Sequence, residues 1–483
     1  MATTSASSPT VTFDDLFAKL DKGRLTANHY KLIIAAVLGD MLEFFDYYII
    51  GFVLAFIVVP WHLSFGETAT VLLSAGVGSL IGSFFFGHLA DRIGRIPVLF
   101  ITTASFTIPS AIMYFTPEGN WIFLSLFRFL VGFGVGGLYS VDLPLVQEFM
   151  PTRYRGLVGG IVTALIPAGT LLGSLSGAFL TPLIGWRGLF LIGLVPALLG
   201  LLFRFWMRES PRWLIKQGRY EQAVKSLNWA MQDQVDYRNV VIPRDIDASE
   251  KRPSFFEIFK YRRSVAVTWT VSFFQSIMDY GFVLWGPTLL VLVLKIPATK
   301  AAKMFIFVSC GSIVGKFVWA FLSEIVGRRI GGMMIGIGSM ITCLIVSRFY
   351  NSYWGSIPII FPAFIVVYAF INGGWSITGP YSTEVWPQRL RATGMGSAYG
   401  IGGFGRICGP MVLALFAGTA NLVTPKATVT AVGPAYIFFA VCGLLLAVTY
   451  SFAQETRNKS MTEIEDMVSA PAKARELAAG IGK

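Results

Sequence analysis

Long apolar runs, each ended by a short cluster of charged or turn-forming residues, set the rhythm of this chain from end to end. Twelve such runs fall at roughly 31–58, 68–90, 97–115, 121–147, 157–180, 188–207, 264–294, 303–322, 331–347, 356–383, 393–420 and 433–453. Most approach the ~20 residues that carry a helix across a hydrocarbon core of about 30 Å. No stretch alternates in the manner of a membrane barrel strand, so helices that satisfy their own backbone are the expected spanning elements. The pattern predicts an all-α membrane protein of twelve transmembrane helices. It divides into an N-terminal segment at 1–30, a six-helix bundle at 31–207, a polar loop at 208–263, a second six-helix bundle at 264–453 and a tail at 454–483.

Composition strengthens that picture. Of 483 residues, 54% are apolar and only 14% charged, against about 25% charged in globular proteins, which excludes an ordinary soluble enzyme. Residues Met1 to Asp21 are too polar and acidic for a signal peptide, so the N-terminus is expected to stay inside. The net charge of +12 could suggest nucleic acid, but the basic residues are scattered among loops. With the N-terminus inside, thirty fall on the inner side and six on the outer. This positive-inside bias predicts a multi-pass protein of the cell membrane, both termini and the 208–263 loop in the cytoplasm, and no nucleic-acid partner.

Three basic residues, Arg128, Lys316 and Arg406, remain inside apolar runs, together with the acids Asp40, Glu43, Asp46, Asp142 and Asp279. Each costs on the order of 2.5 to 3.5 kcal/mol in the membrane even on a lenient scale, so each needs a partner or a watery cavity. The four cysteines stand singly in apolar runs, the three histidines form no ligand spacing, and there is no phosphate-binding loop and no Ser/His/Asp constellation. No enzyme chemistry, metal or other cofactor is expected; movement of a solute would be driven by a gradient.

The chain also repeats in parallel. Gly87-His-Leu-Ala-Asp91-Arg92-Ile-Gly94-Arg95 follows the second run, and Ala320-Phe-Leu-Ser-Glu324-Ile-Val-Gly327-Arg328 follows the eighth, 233 residues on. Glu148-Phe-Met-Pro-Thr-Arg153-Tyr-Arg155 follows the fourth, and Glu384-Val-Trp-Pro-Gln-Arg389-Leu-Arg391 follows the tenth, 236 residues on. Glu209-Ser-Pro-Arg212 and Glu455-Thr-Arg457 complete a duplicated six-helix unit. Over essentially the whole chain this organisation resembles the major facilitator superfamily, whose most specific signature is the loop from Gly87 to Arg95. The resemblance implies that Gly87, Asp91, Arg92, Gly94, Arg95, Glu148, Arg153, Arg155, Glu324, Arg328, Glu384, Arg389 and Arg391 form cytoplasmic latches, since carboxylates beside helix starts and guanidinium groups beside helix ends can pair in one state and part in another.

Arg128-Phe-Leu-Val-Gly132-Phe-Gly134-Val-Gly136 resembles a stretch of the same superfamily in which small residues let helices approach. Asp40, Glu43 and Asp46 share about 120° of one helix face and can line one cavity wall. At about 1.5 Å per residue, Asp46 lies roughly 22 Å and Arg128 roughly 30 Å from the cytoplasmic ends of their runs, against about 13 Å for Asp40 and 9 Å for Asp142. Asp46 with Arg128 is therefore the expected outer pair. Phe44-Phe45-Asp46 resembles the proton-coupling position of the sugar porters; a static ion pair is the competing reading.

Leu20-Asp-Lys-Gly-Arg24 and Gly39-Asp-Met-Leu-Glu43-Phe-Phe-Asp46, with Ser272-Phe-Phe-Gln275 and Tyr280-Gly-Phe-Val-Leu-Trp285, resemble metabolite, aromatic-acid and niacin-type proton symporters. The ends at Glu209 and Glu455 are similar to sugar porters. Gly402-Gly-Phe-Gly405-Arg406 resembles organic-anion carriers, which implies a guanidinium that grips a substrate carboxylate; an ion pair with Asp279 is the alternative, and Lys316 suits either role. Gln275, Tyr280, Trp285 and Asn372 are further candidate substrate contacts, although core packing is the commoner use of membrane aromatics. The expectation is a monomeric transporter that imports a small organic anion with protons by alternating access. A sugar or polyol porter and a non-transporting sensor with the same fold are the alternatives.

Overall fold

The computed structural model describes residues 11–194, 206–241, 254–457, 459 and 463–470. The first four spans are Ala27–Ile57, Phe65–Ile93, Arg95–Ile112 with a 3₁₀ turn at Met113–Phe115, and Trp121–Phe149. The fifth is broken, running through Thr152–Ala164, Pro167–Leu175 and a π-helical turn at Ser176–Leu180. The chain reverses at Gly185 (φ 70°) inside Thr181–Ile192 to enter the sixth, most of which lies outside the described residues. The seventh to twelfth are Arg262–Leu294, Ala298–Val326, Arg328–Phe349, Ile360–Glu384, Arg391–Ala417 and Pro425–Ser451.

Helices outrun the apolar stretches because polar residues cap them. Thr26 accepts from the His29 amide, Ser64 from Glu67 and Thr424 from Ala427, each satisfying an amide that the first helical turn leaves open. The twelfth span thus starts at Pro425, well before the run expected at 433. The tenth starts later than expected, at Ile360, because Tyr353–Trp354 and Ile357–Pro358 pair as an antiparallel hairpin around Gly355 (φ 60°).

The second span packs on the fourth and the eighth on the tenth, an equivalence that repeats the duplication seen in the sequence. The two halves meet where the first span lies against the seventh, the second against the eleventh, and the fifth against the eighth. Backbone-to-backbone approach makes the second–fourth contact: a Cβ added at Gly132 would overlap the Ala75 carbonyl, and one at Gly136 the Ser79 carbonyl. Apolar side chains such as Phe84, Phe321 and Leu415 point outward, as lipid requires and water would not tolerate.

The polar segments before the first span and after the sixth are folded together. Helix Phe13–Lys22 is capped by Thr12, and the strand Val11–Thr12 pairs in parallel with Val240–Val241. Helices Pro211–Lys216 and Tyr220–Met231 lie in the loop expected only to be polar. Lys19 bonds Asp233 at 2.5 Å, and that hydrogen bond holds the Asp233 carboxyl below the usual carboxylate range.

Gly132→Ala is expected to sharply reduce the folded, monodisperse fraction after detergent extraction, because the clash is with main chain that cannot give way. Gly87→Ala, where an added Cβ meets nothing within 4 Å, is expected to extract and unfold like the wild type. Size-exclusion profiles and melting temperatures of the two variants check both.

Candidate functional site

Arg406 and Asp279 sit near the middle of their spans, at the interface between the halves, and are 5% and 2% exposed. The expected alternative in which they pair is not realised. Trp375 donates its Nε1–H to Asp279 Oδ2 at 2.8 Å, and Asn372 Nδ2 lies 3.5 Å from Oδ1. Among the described residues no carboxylate approaches Arg406 within 4.0 Å. Its guanidinium lies instead over two rings, 4.2 Å from the centroid of Tyr399 and 5.5 Å from that of Tyr280, with Ser79 Oγ of the opposite half 3.5 Å from Nη1. Cation–π contacts give part of the stabilisation a carboxylate would give, and no countercharge.

The other candidate contacts divide. Tyr280 faces Tyr47 and Tyr48 of the first span across the interface, and Lys316 donates to the Thr163 carbonyl at 2.5 Å, also from one half to the other. Gln275 donates from Nε2 to the Ile371 carbonyl, while its Oε1 makes no hydrogen bond among the described residues. Trp285 donates to the Pro410 carbonyl at 2.8 Å and packs on Phe65, so its ring serves the helix interface. Tyr399 and Ser79 were not expected. Tyr399 precedes Arg406 by seven residues, two helical turns on the same face, which is a legible signal; Ser79 comes from the other half, and nothing local in the sequence marks it.

Arg128 and Asp46 are neighbours, but not as a carboxylate–guanidinium pair. Arg128 donates from Nη1 to the main-chain carbonyl of Asp46 at 2.8 Å and from Nη2 to that of Tyr47 at 2.6 Å. The Asp46 carboxylate accepts from Ser110 Oγ at 2.5 Å through Oδ1, while Oδ2 makes no hydrogen bond among the described residues. The two groups stay within electrostatic range of each other, but the arginine, buried to 0% exposure, donates its hydrogen bonds to carbonyl dipoles at the helix and not to the carboxylate. Asp40, Glu43 and Asp142 are equally buried. Asp40 lies within electrostatic range of Lys316, and both Asp40 and Glu43 within range of Tyr399.

At the end remote from the chain termini the two halves are closed by main chain. Phe65 and Gly66 donate to the carbonyls of Asn421 and Thr419, and Val423 donates to that of Leu63, each at 2.9 Å. Ser64 and Leu422 form an isolated antiparallel bridge between these segments.

The latch residues gather at the other end, within each half. Arg95 pairs with Glu148 at 2.7 Å, and Arg328 lies 2.7 Å from Glu324 and 3.5 Å from Glu384. Glu209 accepts from the amides of Arg95 and Ile96, and Glu455 from those of Arg328 and Arg329. Glu209 thereby caps the start of the third span and Glu455 that of the ninth, where the helix dipole favours an anion. Ser210 then bonds Glu148, and Thr456 bonds Glu384 at 2.5 Å. Gly94 (φ 101°) and Gly327 (φ 94°) make the turns that expose those amides. Trp213 donates to the Asp91 carbonyl. Arg155 is drawn to Asp21 of the N-terminal helix at 2.5 Å, and Arg389 to Glu257 at 3.1 Å. Arg92 and Arg153 are exposed, Arg153 over the ring of Tyr154.

Glu455→Ala leaves the first amides of the ninth span open and is expected to lower the melting temperature in detergent, at a cost of about 1 to 2 kcal/mol for a charged cap. Glu455→Gln, which keeps the acceptor but not the charge, is expected to recover part of it; equal melting curves for all three proteins would dismiss the cap.

A family model described as "Sugar (and other) transporter" matches residues 31–468. The chain is 28% identical over 406 residues to the niacin transporter of Acinetobacter baylyi, covering 83% of this chain and 90% of that protein. It is 28% identical over 418 residues to the 4-hydroxybenzoate transporter of the same organism, covering 84% and 88%. A partially occluded, inward-open structure of the xylose transporter of E. coli superimposes with a TM-score of 0.69 at 20% identity, over 90% of this chain and 100% of that one. The fold is the twelve-helix fold of the major facilitator superfamily, and the chain belongs to the sugar (and other) transporter family of that superfamily, a family of membrane transporters and not of enzymes.

Proposed function

We propose that this protein carries a small organic anion, of the aromatic carboxylate class, across the cell membrane together with protons, by alternating access. Arg406 carries the reading. It is a buried guanidinium with aromatic faces around it and no carboxylate within 4.0 Å among the described residues. Such a cation cannot deprotonate and is balanced best by an anion that arrives. A ring-bearing carboxylate answers both halves of the surroundings: the carboxylate meets the planar fork, and the ring meets Tyr280. The relatives named for niacin and 4-hydroxybenzoate support the same substrate class.

Asp46 is the proposed proton carrier. Its Oδ2 is a buried oxygen without a hydrogen bond, beside an arginine anchored on the Asp46 carbonyl itself, so protonation changes the charge balance against a fixed cation. With positive residues inside, the closed end opposite the termini faces out, which makes the described state inward-facing. The latch residues at the cytoplasmic end are proposed to hold each half rigid as the halves rock, and the chain is proposed to work as a monomer.

Proteoliposomes with an imposed inward proton gradient, tested with aromatic acids, sugar acids, neutral sugars and amines, are expected to accumulate an aromatic acid. Uptake of neutral sugars alone would replace this reading with a sugar porter, and no flux of any solute would favour a sensor. Asp46→Asn is expected to abolish accumulation while leaving counterflow measurable; pH-dependent accumulation in that variant would move the proton to Asp40, Glu43 or Asp142. Arg406→Ala is expected to weaken acid binding at least tenfold, about 1.4 kcal/mol or more. Arg406→Lys should restore only part, because an ammonium lacks the fork; calorimetry on both variants decides it.

A further inference from the structure

Beyond Arg406, several buried polar groups in the bundle make no hydrogen bond among the described residues, and of these the Tyr47 hydroxyl is carried by a ring packed against Tyr280. Tyr47 is 2% exposed, and its hydroxyl finds no hydrogen-bond partner among the described residues. Burying an O–H without a partner costs free energy, and such a group is kept where something else supplies the acceptor. The rest of the residue is tightly held. Its main-chain carbonyl accepts from Arg128 at 2.6 Å, and the Arg128 guanidinium lies 5.6 Å from its ring centroid. On its other side the ring meets that of Tyr280 edge-on at 5.5 Å, and Tyr280 lies in turn under Arg406. Tyr47 is also within electrostatic range of Arg406.

We infer that the Tyr47 hydroxyl is the N-terminal half's hydrogen-bond donor to the substrate carboxylate that Arg406 binds from the C-terminal half. The inference rests on the anion reading of Arg406 and extends it, since it makes the carboxylate site complete only when the two halves are together. A donor fixed by Arg128 on one side and Tyr280 on the other is pre-oriented, so little freedom is lost on binding. A phenol donates to a carboxylate far better than to a neutral amide oxygen, because a charged acceptor strengthens the bond. Tyr47 therefore favours an acid over its amide.

Tyr47→Phe removes the hydroxyl and nothing else. The purified wild type and Tyr47→Phe are titrated calorimetrically with nicotinate, 4-hydroxybenzoate and the amide of each, and their melting temperatures are recorded alongside. Expected are an unchanged or higher melting temperature, since an unpaired buried hydroxyl has been deleted, and an acid affinity reduced about tenfold, with the amides affected much less. A wild type that binds an acid and a Tyr47→Phe that binds it equally well would overturn the Tyr47 role alone. An equal loss for acid and amide, or a lowered melting temperature accompanying the loss, would make Tyr47 a packing residue and overturn it too. A wild type that binds neither acid would overturn the anion reading and this inference together.

Discussion

A guanidinium in the middle of an apolar bundle keeps its charge, and everything around it has to be arranged to suit. Among the described residues two are buried, Arg128 and Arg406, and they are treated differently. Arg128 donates from each Nη to a main-chain carbonyl of the first span, which pins that helix to the fourth, while its Nε makes no hydrogen bond among the described residues. Arg406 is surrounded by rings and one distant hydroxyl, which leave its charge available. The contrast is what the proposed receiving role of Arg406 rests on, and residue type alone does not draw it.

The same logic appears twice at the cytoplasmic end. Glu209 and Glu455 each reach back to the two amides that open the third or ninth span, and each is followed by a hydroxyl residue that ties the end of the fourth or tenth span. Because the helix amides, the carboxylate and the guanidinium are satisfied as one network, loss of one member leaves the others exposed to an unbalanced charge. The glycine turns are part of it: at Gly94 and Gly327 a side chain would collide with the capping carboxylate as well as strain the backbone.

The twelve spans were legible because the membrane allows few alternatives: apolar length, turn residues and the duplicated loop motif all pointed to one architecture. Span ends were misjudged where a capping residue such as Thr424 carried the helix beyond its apolar stretch. The folded layer made by Phe13–Lys22 with Tyr220–Met231 escaped notice because its polar composition reads as loop. At the centre, Arg406, Asp279 and Tyr280 could be singled out as costly or unusual residues, but their partners could not. Spacing along one helix reveals Tyr399; it says nothing of Ser79 or Tyr47, which come from the opposite half, nor that Arg128 would choose carbonyls over the Asp46 carboxylate.

The way the halves are closed bears on how they can part. The ladder joining Leu63–Gly66 to Thr419–Val423 consists of three main-chain hydrogen bonds at the rim of the bundle, where water can replace each one. At about 0.5 to 1.5 kcal/mol net apiece, the ladder holds the halves together by only a few kcal/mol. A ligand can move an equilibrium of that size through its different affinity for the two states. Deeper in, the contacts between halves include Tyr47 on Tyr280 and Arg406 toward Ser79, the groups to which the proposal assigns the substrate. A carboxylate bound there as proposed would touch both sides of the interface, so the residues proposed to recognise the substrate are also those that alternating access would have to separate.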